Sequence, residues 1–155
     1  MEYPLDGSKY FDVREFIHPM MFNAFGPERA RWFISDFQRD YAFLLKEVLG
    51  MAPIHINNWH LGGDRVGRGT RPRGYKPKGG AEFSLHYLSN ALDVSSPAFT
   101  PRQIFDKILA NKARFKAIGL TTIEDLQMTK TWIHGDCRPF IKGIHPETGF
   151  LIVRP

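Results

Sequence analysis

The pattern of apolar residues predicts a single α+β domain with a largely antiparallel sheet. Two long segments carry apolar residues at helical spacing, and three short strand-like runs follow one another after Gly119. Strands gathered at one end of a chain, rather than alternating with helices, favour an α+β arrangement. At 155 residues, with no repeat, low-complexity tract or linker-like stretch, the chain is one ordinary domain (1–155) able to bury a real core.

The first element is a short helix over residues 13–17, which must end before Pro19. The main helix is expected over 27–49. Pro27 suits its first turn, Phe33, Phe37, Leu44, Leu45 and Val48 recur at helical spacing, and Gly50 closes it. The run PIHINNW (53–59) alternates Ile54 and Ile56 between Pro53 and a glycine-rich loop, and reads as a strand. Residues 61–80 hold seven of the 14 glycines and read as irregular structure. A second strand falls within FSLHYLSNALDVSS (83–96). Thr100, Pro101 and Gln103 form a capping box that opens the second long helix, whose apolar face is Ile104, Ile108, Phe115 and Ile118. After Gly119, TTIEDLQ, TWIHGDC and FLIVRP read as strands, the last two separated by the turn-like HPETG.

Composition narrows the chemistry. One cysteine, Cys137, allows no internal disulfide and no cysteine-built zinc site. No apolar stretch approaches the roughly 20 residues that span a bilayer, and the N-terminus lacks a signal peptide's basic start and apolar run. The chain is therefore expected to be cytoplasmic as synthesised. A formal charge of +5 suggests anionic partners. Arg65, Arg68, Arg71, Arg73, Lys76 and Lys78 crowd one loop against a single acid, Asp64. Such a run is either a solvated loop or an anion-binding surface. It carries no recognised nucleic-acid motif, so nucleic acid is not the expected partner.

His86 and Asp93 stand seven residues apart, and a metal site needs a third ligand. Strand alternation puts Trp132, His134 and Asp136 on one face and Ile133 on the other. His86, Asp93 and His134 would supply two imidazoles and one carboxylate, all accepted by zinc, and leave a fourth position open. Each histidine alone could equally be a hydrogen-bonded structural residue. His55, His60, His18 and His145 are left out of the set, the last two as turn residues before prolines. Cys137 reads as a small buried apolar residue.

The run SLHYLSNALD resembles the S-x-H-x-x-G-x-A-x-D signature of the Hedgehog/D-Ala-D-Ala peptidase superfamily. Ser84, His86, Ala91 and Asp93 match it, and Ser89 stands where glycine is usual. TWIHGDCR resembles the second signature through Trp132, His134, Asp136 and Arg138. The order of elements is similar to that of small phage-encoded members over nearly the whole chain. The resemblance implies a small antiparallel sheet with helices packed on one side, and zinc on His86, Asp93 and His134. It also implies cleavage of peptide bonds in peptidoglycan stem peptides.

In this superfamily the general base stands two or three residues before the last zinc histidine; here those positions are Trp132 and Thr131. Asp136 is then the candidate catalytic base, or else a carboxylate that orients a ligand histidine. Glu124 and Asp125 are the other acids nearest in sequence. The resemblance also implies an arginine upstream of the motif that holds the substrate carboxylate. Arg71 is the preferred candidate and Arg68 the second, with Ser84 adding a hydroxyl; a mobile surface arginine is the competing reading of Arg71. A non-catalytic module of the same fold, serving as a phage structural or wall-binding component, is the alternative function.

Overall fold

The computed structural model describes residues 2–5, 9–77, 84–139 and 144–154; the end of the basic loop, residues 78–80 with Lys78, lies outside them. Helix α1 (Val13–Phe16) opens on Asp12, whose carboxylate accepts from the Arg14 N–H while Glu15 reaches back to the Asp12 N–H. Helix α2 (Pro19–Ala30) starts from His18, whose Nδ1 accepts from the Met20 N–H at 3.2 Å, and is kinked at Gly26.

The helix expected over 27–49 is broken. The chain leaves α2 through a 3-10 turn (Arg31–Phe33), extends at Ile34, and restarts as α3 (Asp36–Val48). The cause is a second capping box: the Ser35 hydroxyl accepts from the Gln38 N–H and Gln38 accepts from the Ser35 N–H. The same two side chains donate outward, Ser35 to the Ser89 carbonyl and Gln38 to the Ala91 carbonyl. The break thus ties α3 to the segment that carries His86 and Asp93.

The strand expected over 53–59 shrinks to one antiparallel bridge, His55 with Ser95. The reason is competition for the backbone. The Asn57 N–H donates to the Glu15 carbonyl, and the buried Asn57 side chain accepts from the Arg68 N–H at 2.9 Å. Asn58 accepts from the Arg65 N–H, and the Trp59 indole donates to the Arg14 and Ile17 carbonyls. This segment clamps the basic loop onto α1. The second long helix keeps its predicted capping box but divides into α4 (Pro101–Ala110) and α5 (Lys112–Ala117). Asn111 leaves helical geometry between them, its side chain donating to the Lys107 carbonyl.

Among the described residues four strands complete the α+β fold: β1 (Ala91–Val94), β2 (Thr122–Glu124), β3 (Ile133–Asp136) and β4 (Leu151–Val153), in the order β1-β3-β2-β4. β3 is antiparallel to both neighbours and β4 adds a parallel edge. Alternation sends Leu92, Val94, Ile123 and Ile133 into the core with Tyr41 and Leu45 of α3, Ile104 and Ile108 of α4, and Phe115 of α5. Each buried aliphatic side chain contributes about 1.5–3 kcal/mol. Gly135 shares this face, and a Cβ there would sit 2.7 Å from the Tyr41 ring and hydroxyl, so the strand approaches α3 only as glycine. Asp93, Thr122, His134 and Asp136 fall on the opposite face.

Candidate metal centre

Ser84 opens a 3-10 turn (Leu85–Leu88) by accepting from the His86 N–H. The turn closes at Ser89 with φ 59°, the left-handed region that glycine adopts freely. Serine there carries a strain of about 1–2 kcal/mol, offset by its hydroxyl donating to the Phe33 carbonyl at 2.7 Å. The chain then enters β1, where Asp93 lies directly across from His134 of β3. The Asp93 N–H on the open edge of β1 donates to the Arg68 carbonyl at 2.8 Å, so the basic loop runs alongside the strand.

His86, Asp93 and His134 converge, each offering one ligand atom within 4.8 Å of the others. His86 Nδ1 donates to the Gly69 carbonyl at 2.8 Å, which leaves Nε2 as the lone-pair nitrogen. That Nε2 is buried, has no hydrogen-bond partner among the described residues, and lies 3.4 Å from Asp93 Oδ2. Burial lowers the His86 pKa, so the ring is neutral and two electron-rich atoms face each other. A tetrahedral set with metal bonds near 2.0–2.1 Å separates its ligand atoms by about 3.3 Å. The donor set and the unpartnered nitrogen fit a cation; this buried group can hold a metal ion.

His134 sits between two carboxylates, with Nδ1 2.7 Å from Asp93 Oδ1 and Nε2 3.1 Å from Asp136 Oδ2. Burial opposes its charge, yet the hydrogen bonds to Asp136 and Asp93 raise its pKa to about 10. Burial would raise Asp93, but the hydrogen bond from the charged His134 holds its carboxyl far below the usual range. Asp136 is fully buried, and both of its oxygens are engaged by Arg138 as well as His134. Of the two roles expected for Asp136, orienting the histidine is the one these contacts support.

The basic loop supplies one wall of the site. Arg65, Arg68, Arg71, Tyr75, Asp93 and Trp132 line a cleft of about 420 Å³. Arg71 points inward, its side chain only 10% exposed, with 3.4 Å contacts to Ser84 Oγ and Asp93 Oδ2. It is no mobile surface arginine. Arg68 lies over the Trp132 ring, 5.6 Å from its centroid, and donates to Ser95 Oγ.

No protein-family model matches the chain, and no curated protein or solved structure matches it either.

The structure brings together every predicted site residue: His86, Asp93, His134, Asp136, Arg71 and Ser84. Among the described residues no other histidine joins the metal group. His18 caps α2, and His55 contacts Arg65 at the sheet margin. Gly69 was not foreseen. A Cβ at Gly69 would lie within 2.1 Å of the Phe16 carbonyl, so only glycine lets the loop reach His86. Its contribution is a backbone carbonyl, and no side chain signals it. Asn57, at the end of the run read as a strand, shapes the cleft by accepting from the Arg68 N–H.

Proposed function

We propose that the protein is a zinc-dependent peptidase that cleaves peptide bonds in bacterial peptidoglycan, of phage derivation and cytoplasmic as synthesised. The observation that carries this reading is the unpartnered His86 Nε2, facing Asp93 and His134 beside an arginine-lined cleft. Zinc, held by His86, Asp93 and His134, would polarise a scissile carbonyl and make a water acidic enough to attack it near neutral pH. Two signature motifs support the choice of zinc and of wall peptides. Among the described residues no helix is long and apolar enough to cross a membrane.

The chain's own groups supply orientation and charge. Gly69 and Asp136 fix the two imidazoles from behind. Arg71 steadies Asp93, yet its 3.4 Å contacts are at the long limit for hydrogen bonds. A substrate carboxylate can therefore claim the guanidinium, with Ser84 beside it and Arg68 on Trp132 further along the cleft. Stem peptides end in carboxylates and suit such a wall.

The second reading, a non-catalytic wall-binding or virion module, draws on Thr131 and Trp132, which leave the superfamily's usual base position unfilled. Purified muropeptides separate the two. Cleavage that stops with a chelator and returns with zinc supports the peptidase; binding without cleavage supports the module.

A further inference from the structure

Three acids lie near His134 in sequence, and their surroundings differ. Asp136 is shut away behind His134 and Arg138. Asp125 accepts from the Gln127 N–H and from Arg154 at 2.7 Å. Glu124 ends β2. The antiparallel register pairs Thr122 with Asp136 and Ile123 with Gly135; one step further, Glu124 stands across from His134. Directly opposed residues share a face with their Cβ atoms about 4.5–5.5 Å apart, so Glu124 rises from the same face as His134 and Asp93. The charges that act on it are those of His134, Asp93, Arg138 and Asp136, and its own field reaches Arg71. It is half-buried, and its carboxylate makes no hydrogen bond or ion pair with any described residue.

We propose that Glu124 is the proton acceptor and donor of the hydrolysis, supplied by the neighbouring strand instead of the turn before His134. This rests on the peptidase reading. In the forward step a water O–H bond breaks, its oxygen forms the new bond to the scissile carbonyl carbon, and the proton goes to Glu124. The C–N bond then breaks with its electron pair on nitrogen, and Glu124 returns the proton there. One water is consumed per peptide bond and the carboxylate is regenerated. The β2 ladder on β3 sets Glu124 on the sheet face that carries His134 and Asp93.

Glu124 also borders a cleft lined by Arg102, Phe105 and Arg154, and a carboxylate directed there would leave hydrolysis untouched. The test compares wild type, Glu124→Gln and Glu124→Asp for zinc content, melting temperature, muropeptide hydrolysis and acetate binding to the zinc-loaded protein. Glu124→Gln is expected to keep one zinc per chain and its melting temperature while losing hydrolysis by about 100-fold or more. It should bind acetate several-fold more tightly, because a negative charge facing the ion pocket is gone. Glu124→Asp should retain part of the activity. An active wild type whose Glu124→Gln variant is equally active, with unchanged acetate affinity, overturns the assignment alone. A zinc-loaded wild type that cleaves nothing overturns the peptidase reading and the proton-transfer role with it.

Discussion

The His86 ring donates its Nδ1 proton to the Gly69 carbonyl at 2.8 Å, and that bond decides which nitrogen faces Asp93. The imidazole is held by main chain whose own path depends on a missing side chain. Gly69→Ala would place a methyl carbon against the Phe16 carbonyl and push the loop away from α1. The expected result is zinc affinity weakened by about 10- to 100-fold, as for loss of a partner behind a ligand, with a lower melting temperature. Competition with a fluorescent chelator measures the first. Unchanged affinity would mean that His86 does not need this carbonyl.

Asp136 gives a second, separable prediction. Both oxygens are occupied by His134 and Arg138, and the side chain is fully buried. Asp136→Asn should weaken zinc affinity by about 10- to 100-fold, with activity per bound zinc largely retained. A variant that keeps its zinc yet loses hydrolysis by about 100-fold or more would make Asp136 the base and displace Glu124 from that role.

His86, Asp93 and His134 were legible as a group able to hold a metal ion because each lies in a short motif. Alternation alone put His134 and Asp136 on one strand face, and the Thr100 capping box marked its helix. The misreadings have a common cause. Phe33 and Phe37 fit one helical period, but the Ser35–Gln38 cap, bonded to Ser89 and Ala91, outweighs that period and breaks the helix. Ile54 and Ile56 alternate like a strand, while Asn57 and Asn58 spend their hydrogen bonds on the basic loop. Glu124 was visible only as a nearby acid. Its place beside His134 depends on the strand order β1-β3-β2-β4, which no local pattern encodes.

Stability should carry a signature from Glu15 that is independent of the metal. Burial pushes the Glu15 carboxyl up to about 7, even though it accepts a hydrogen bond from the Asp12 N–H. The folded pKa lies above the unfolded one, so the contribution is fully present below about pH 4.5 and is lost as pH rises through about 7. The span is up to about 3 kcal/mol. Glu15→Gln keeps an acceptor for Asp12 and removes the titration. Denaturant midpoints at pH 5 and pH 8 should differ less in this variant than in wild type. An equal difference in both would show that Glu15 titrates normally.

His86, Asp93 and His134 are expected to hold one zinc ion, which elemental analysis of the purified chain measures. Wild type grown with zinc should carry about one equivalent per chain, as three protein ligands with an open fourth position would. His86→Ala and His134→Ala, shown to be folded by circular dichroism, should carry almost none. Full zinc occupancy in both variants, or a zinc-free wild type that takes up no zinc when it is supplied, would contradict the account.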